Sequence, residues 1–123
     1  MKYYIPDCFW PVKDQGEYLG HEAISILNTN PEPVQVRMTL YFEDRDKMEG
    51  FLLEVPAERT IHFHTYDLKN EDGAGIPRGV GYAAVLECEA PVTVQYARVD
   101  VTQPELAVAT TMAATLPEMA EGK

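Results

Sequence analysis

The sequence predicts an all-β domain built as an antiparallel sandwich or barrel. Short runs in which apolar and polar residues alternate recur along the chain, and clusters of turn-forming residues separate them. No long segment carries the 3.6-residue apolar repeat of an amphipathic helix. About seven short strands at this spacing are typical of a sandwich or a barrel.

The clearest strand covers residues 34–42, where every even position is apolar and the odd positions are mostly polar. Side chains of a strand alternate between the two faces of a sheet, so the even positions are expected in the core. A cluster of turn formers at 28–33, with Pro31 and Pro33, separates this strand from an apolar run at 23–27. We therefore expect 23–27 and 34–42 to be neighbouring strands.

Further strands follow from the same two signals. Residues 59–66 alternate, with Ile61, Phe63 and Thr65 on one face, and the glycine-rich residues 67–81 mark the longest loop. The remaining predicted strands are 51–55, 80–88, 92–101 and the middle of 105–116. Residues 89–91 are expected to form a hairpin-like turn between two of them.

The length of the chain indicates how many domains it forms, and its net charge indicates which classes of partner it can bind. With 123 residues we expect one domain spanning 1–123, with a core at about 8–116 and a flexible tail at 117–123. Twenty acidic against ten basic residues give a formal net charge of −10, and Lys and Arg form no run. Such a field repels phosphate backbones and anionic lipid headgroups, which argues against nucleic acid and membrane surfaces as partners.

The sequence shows no targeting or membrane-spanning signal, so a cytoplasmic protein is expected. The N-terminal segment has no apolar stretch before a small-residue cleavage site, and the uncharged stretch 106–117 is too short to cross a bilayer. The two cysteines, Cys8 and Cys88, are expected to be buried thiols, because a disulfide framework or a four-ligand zinc site needs more cysteines.

Histidines supply the one pattern with metal-ligand spacing. His62 and His64 lie two residues apart on one strand face, where both imidazoles could reach a common metal ion. Only His21-Glu22 could complete such a site, and the alternative is a pair of exposed strand histidines. We expect no metal. Because neither a glycine-rich phosphate loop before a helix nor a G-x-S-x-G turn is present, we also expect no cofactor, no catalytic residues and no enzymatic activity.

The strand 92–101 changes character along one face. Val92, Val94 and Tyr96 are followed on that face by Arg98 and Asp100. One interpretation is a polar patch at the rim of a sandwich, available to a ligand. The other is a strand that leaves the core or shifts phase at a bulge, with the charges at its solvated end.

At these residues the sequence resembles the sensory rhodopsin transducer family of small soluble bacterial and archaeal proteins. The resemblance runs from about Cys8 to Thr115, and its most specific piece is the Val-Pro-Ala-x-Arg-Thr pattern of residues 55–60. The other matching segments are Trp10, Gly20-His21-Glu22, Ile26-Leu27-Asn28, Leu40-Tyr41-Phe42, His62, Asp67-Leu68, Ile76-Pro77, Pro91-Val92, Val94-Gln95, Arg98 and Asp100.

The resemblance implies a jelly-roll-like β-sandwich of about seven to eight strands, assembled as a homotetramer. It also implies a non-enzymatic domain that either binds a small polar molecule, such as a sugar, or takes part in signalling. The alternative is a protein-interaction module that relays a signal from a membrane photoreceptor or another receptor. Ile61 and His64 stand where photosensory members carry basic residues, which argues against rhodopsin or nucleic-acid contact through that strand.

The expected ligand site combines one aromatic ring with several polar groups. Trp10 would stack on the apolar face of a sugar, and the other residues would supply hydrogen bonds, the mixture that such sites need. Those expected polar contacts are His21, Glu22, Gln95, Arg98 and Asp100.

Overall fold

The fold is a sandwich of two four-stranded antiparallel sheets, in agreement with the predicted all-β class. The computed structural model describes residues 1–11, 21–100 and 107–115. The strands found in these residues are β1 (Lys2–Cys8), β2 (His21–Asn28), β3 (Val34–Tyr41), β4 (Met48–Val55), β5 (Arg59–His64), β6 (Tyr82–Glu87), β7 (Thr93–Asp100) and β8 (Ala107–Met112). A 3₁₀ turn, Thr65–Asp67, follows β5, so this strand ends two residues before the predicted boundary.

Most connections carry the chain from one sheet to the other. The first sheet has the order β1-β6-β3-β4 and the second the order β5-β2-β7-β8, so only β3–β4 and β7–β8 are sequential neighbours among the described strands. The prediction that 23–27 and 34–42 are neighbours is therefore wrong, and residues 89–91 are a crossover, not a hairpin turn. Pro- and Asn-rich loops have the same composition in both roles, because either role needs only a change of chain direction.

Buried Asn28 holds one of these crossovers in place. Its side-chain nitrogen lies 3.0, 3.2 and 3.1 Å from the carbonyl oxygens of Glu32, Val55 and Pro56, respectively. Its side-chain oxygen accepts the backbone N–H of Asn30 at 2.9 Å. The amide of Asn28 thus satisfies backbone groups where the chain leaves β2 and where β4 ends.

The core lies between the sheets and confirms the alternation predicted for β3. Its even positions, from Val34 to Leu40, are all buried. The core also extends into β1, before the predicted start at residue 8, because Tyr3 and Ile5 are buried as well. The alternation in β1 is broken at Pro6-Asp7, where the register with β6 shifts, and this irregularity hid the strand in the sequence.

One side of the sandwich is joined by a short link between the sheets. The backbone N–H of Tyr4 donates to Ala114 O at 2.8 Å, and the N–H of Ala114 donates to Tyr4 O at 2.9 Å. This pair ties β1, an edge strand of the first sheet, to the residues that follow β8, an edge strand of the second. Next to the link, the two edges separate and leave a cleft.

Candidate ligand-binding cleft

A fully buried carboxylate occupies the core near this cleft. Glu22 shares the inward face of β2 with Ile24 and Ile26, and it is 0 % exposed. A charge taken out of water must be met by hydrogen bonds or counter-charges. Glu22 Oε1 accepts hydrogen bonds from the hydroxyls of Thr65 at 2.9 Å and Tyr82 at 2.8 Å, and Oε2 accepts one from the Tyr96 hydroxyl at 2.5 Å.

The donors around Glu22 are held in their protonated form. Burial raises the pKa of the Tyr82 and Tyr96 hydroxyls, and the negative field of Glu22 raises both further. The pKa of the nearby Cys8 thiol is also raised, chiefly by burial and then by Glu22. Tyr82, Tyr96 and Cys8 therefore remain protonated at neutral pH.

Tyr96 connects this network to the cleft. Its ring belongs to the cleft wall, and its hydroxyl, which donates to Glu22, also accepts the backbone N–H of Phe9 at 3.1 Å. The ring is thus fixed at its far end by one charged and one backbone partner. A wall that is held in this way needs little ordering when a ligand binds.

The cleft between β1 and the β7–β8 pair has a volume of about 450 Å³. This size lies within the range of roughly 300–1,000 Å³ that small-molecule sites occupy. Its lining is mostly apolar or aromatic, with a charged pair near the end of the strands. Its lining includes Tyr4, Pro6, Asp7, Tyr96, Arg98 and Met112.

Arg98 is the cation of the cleft. It lies opposite Glu22 in the β2–β7 register, on the inward face, and its side chain is 23 % exposed. The guanidinium carbon lies 6.0 Å from the centre of the Tyr96 ring, and a guanidinium nitrogen lies 4.0 Å from the exposed carboxylate of Asp7. Within the described residues Arg98 donates no hydrogen bond, so its planar donors are available to a ligand.

The structure brings together only some of the predicted site residues. Glu22 and Arg98 are cross-strand partners joined through Tyr96, and Trp10 follows Phe9 near the same end of the sandwich. The Trp10 ring lies 5.4 Å from the Arg78 guanidinium carbon, and it is not part of the cleft lining. The strand containing Asp100 is described, but its side chain lies outside the described residues.

His21 and Gln95 lie on the other, outward face of the second sheet. Adjacent residues of a strand point to opposite faces, so buried Glu22 places His21 outside, and buried Tyr96 does the same for Gln95. Sequence reasoning missed Asp7 and the network role of Tyr96, Tyr82 and Thr65. The sequence did contain one indication of this network, because Glu22 lies on the same strand face as the apolar residues Ile24 and Ile26.

The histidines form an aromatic cluster on this outward face. The His64 ring stacks on Tyr66 with centroids 5.2 Å apart, and the His21 ring lies 5.6 Å from that of His64. His62 instead shares a hydrogen bond with the Ser25 hydroxyl at 2.7 Å. Glu22 points away from all of them, and the described residues contain no group of three or more metal-ligating side chains.

The family model of the Anabaena sensory rhodopsin transducer matches residues 1–115. The chain belongs to this transducer family. The match confirms the resemblance seen in the sequence and covers all eight strands.

Two solved structures are similar to this chain. "Crystal Structure of Thermotoga maritima 1070" superposes with a TM-score of 0.78 at 28 % identity, over 92 % of this chain and 91 % of that one. The Anabaena sensory rhodopsin transducer superposes with a TM-score of 0.69 at 32 % identity, over 77 % of this chain and 92 % of that one. No curated protein matches the chain. Across the described ranges, none of the helical segments has the length and apolar character needed to cross a membrane.

Proposed function

We propose that this transducer-family chain is a cytoplasmic, non-enzymatic domain that binds a small polar molecule, with a sugar as the ligand class, in the cleft between β1 and β7–β8. The observation that carries the proposal is Arg98, a cation with free donors in an otherwise largely apolar cleft. A few polar groups in an apolar setting are what orient a small ligand.

The roles of the cleft residues follow from their positions. Arg98 and Asp7 supply a donor and an acceptor for hydroxyl groups, and the rings of Tyr4 and Tyr96 supply apolar surface for a sugar face. Glu22 acts as a positioning residue, because it holds the Tyr96 ring from behind. His21 and Gln95 make no contact with a ligand in this cleft, since they lie on the outward face of the sheet.

A thermal-shift screen against sugars and polar metabolites tests the proposal. A ligand stabilises the native state by RT ln(1 + [L]/Kd), so a weak binder is visible at high concentration. Arg98→Ala is expected to weaken binding of the best sugar at least about tenfold, as for loss of a charge-assisted hydrogen bond. Arg59→Ala is the matched control, because Arg59 is exposed on β5 and its guanidinium donates, among the described residues, to Glu58 O alone. Binding that is equal in both variants would contradict the assignment of the cleft.

A protein-interaction module is the second candidate, in which the chain relays a signal from a membrane photoreceptor or another receptor. It is supported by the 32 % identity to a structure named Anabaena sensory rhodopsin transducer. The assay is binding to a purified microbial rhodopsin in detergent. Complex formation without added sugar that is unaffected by Arg98→Ala would favour this function over the first.

The proposal includes a homotetramer. Leu27 on the outward face of the second sheet is 42 % exposed and lies beside small residues such as Ala23 and Ser25, a surface suited to close packing between copies. Light scattering at micromolar concentration is expected to give the mass of four chains of 13.8 kDa each. A monomer mass would refute the assembly.

A further inference from the structure

A second groove lies on the solvent face of the first sheet, away from the cleft. Its volume is about 590 Å³. Four residues cross its floor side by side in the strand register: Lys2 opposite Glu87, Glu87 opposite Arg37, and Arg37 opposite Leu52. Their strands are β1, β6, β3 and β4, so the whole width of the sheet contributes to the floor.

The wall of the groove is a fixed turn. Glu71 N donates to Gly50 O at 2.9 Å, and the side-chain nitrogen of Asn70 donates to Glu49 O at 3.1 Å, which ties the turn to β4. Within the turn, the side-chain oxygen of Asn70 accepts the backbone N–H groups of Asp72 at 3.0 Å and Ala74 at 2.9 Å. A groove with a fixed wall can bind a small molecule without first ordering a loop.

Gly50 is required for this close approach. Its φ is +92°, and a Cβ at this position would lie 2.8 Å from Glu71 Cγ. Any other residue would be strained in the backbone and would have to displace the Glu71 side chain. The groove therefore depends on a backbone position that only glycine occupies without cost.

The groove lining is richer in basic residues than the chain as a whole. It has three basic side chains, Lys2, Arg37 and Lys69, and three acidic ones, Glu49, Glu71 and Glu87, whereas the chain has ten basic and twenty acidic residues. Across the residues that the structure describes, the three basic side chains take part in no ion pair. The Glu49 carboxylate at the groove edge lies 3.3 Å from Lys47, which already provides it with a counter-charge.

The floor also offers acceptors and one apolar contact. Glu87 lies between Lys2 and Arg37 in the strand register, and its two carboxylate oxygens can accept hydrogen bonds from ligand hydroxyls. Thr39 adds a hydroxyl, and Leu52, which is 57 % exposed, adds an apolar contact. The combination suits a molecule with an anionic end and hydroxyl groups along a short carbon chain.

We propose that the groove across Lys2, Glu87, Arg37 and Leu52 is a second binding site, for a small polyhydroxy carboxylic acid. The guanidinium of Arg37 binds the ligand carboxylate, a planar pairing that Arg makes with two parallel hydrogen bonds. Lys2 adds a point charge, and Glu87 accepts hydrogen bonds from the ligand hydroxyls.

Calorimetric titration with gluconate tests this site, with sorbitol as the matched probe that lacks the carboxylate. Gluconate is expected to bind at least about tenfold more tightly than sorbitol, and to lose at least about tenfold in Arg37→Ala. Arg37→Lys is expected to lie between the two, because it keeps the charge and loses the planar pairing. Arg37 is exposed, so these variants are expected to fold.

A control variant and a cleft variant separate this site from the cleft. Arg59→Ala, which lies in neither lining, is expected to bind gluconate as the parent chain does. Gluconate binding that is lost in Arg98→Ala and kept in Arg37→Ala would overturn the second site and support the cleft. No gluconate binding, or equal affinity for sorbitol, would overturn the recognition of an acid. Glycine, which carries both charges and no hydroxyl, should not compete, and competition by it would refute the ligand class.

Discussion

Removing one hydroxyl group, in Tyr96→Phe, tests whether the buried carboxylate network stabilises the fold. Tyr96 is 3 % exposed, and its hydroxyl donates to Glu22 Oε2 at 2.5 Å and accepts the Phe9 N–H at 3.1 Å. A hydrogen bond to a charged group contributes about 1.5–3 kcal/mol and a neutral one about 0.5–1.5 kcal/mol. The free energy of unfolding is therefore expected to fall by about 3 kcal/mol.

Tyr3→Phe is the matched control within the same chain. Tyr3 is also a strand residue, 4 % exposed, and its hydroxyl accepts the backbone N–H of Val92 at 2.8 Å. It has the backbone bond of Tyr96 without the carboxylate partner, so its loss is expected to cost only about 1 kcal/mol. The difference between the variants isolates the bond to Glu22, at about 2 kcal/mol.

Urea and thermal unfolding measure both variants under identical conditions. For a domain of this length, Tyr96→Phe is expected to lower the melting temperature by about 10–15 °C and Tyr3→Phe by about 3–5 °C. The urea m-value is expected to stay unchanged, because neither variant alters the surface exposed on unfolding. Equal losses in the two variants would refute the reasoning, since the carboxylate would then add nothing to the Tyr96 hydroxyl bond.

Three other outcomes are expected. Burial raises the pKa of the Cys8 thiol in the folded state, so the stability that this thiol gives the fold is complete below the pKa of an unfolded thiol and is lost as pH rises. By pH 11 the free energy of unfolding is expected to fall by about 3 kcal/mol because of Cys8. Urea titrations should show a shallower decline with pH in Cys8→Ala. Arg98→Ala should stay folded and lose only about 1 kcal/mol by urea unfolding, since Asp7, its carboxylate partner, is 87 % exposed; a loss of about 3–5 kcal/mol would indicate a buried structural pair. Prolonged chelation should leave the melting temperature unchanged, because no metal-ligand cluster exists in the described residues; a large drop would point to the His21–His64 pair.

The fold class and the core face of β3 could be predicted because they depend on local alternation. The period of two between Val34 and Leu40 follows directly from strand geometry. Which strands pair could not be predicted in this way, since the loop around Pro31 and Pro33 has turn composition whether the chain returns in one sheet or crosses to the other. β1 was missed because Pro6 and Asp7 interrupt its pattern.

The candidate site was predictable only where one residue carries an unusual property. Arg98 follows Val94 and Tyr96 on an apolar face, and it lies in the lining of the cleft. The convergence of Tyr82 and Thr65 on Glu22 depends on packing between residues 43 and 60 positions apart in the sequence. No local pattern contains that information, and the same holds for the groove on the first sheet, whose floor is set by register across four strands.

The crossover topology also has a consequence for how the chain is made. β1 pairs with β6 alone among the named strands, and the hydrogen bond from the Met1 amino group to Cys88 O closes 87 positions of sequence. At a synthesis rate of roughly 5–20 residues per second, β1 waits roughly 4–17 s after it is made before its partner exists. During that time, an amphipathic strand with two tyrosines and an isoleucine has no native neighbour. Among the described strands, β1 is thus the segment with the longest exposure to mispairing with other chains.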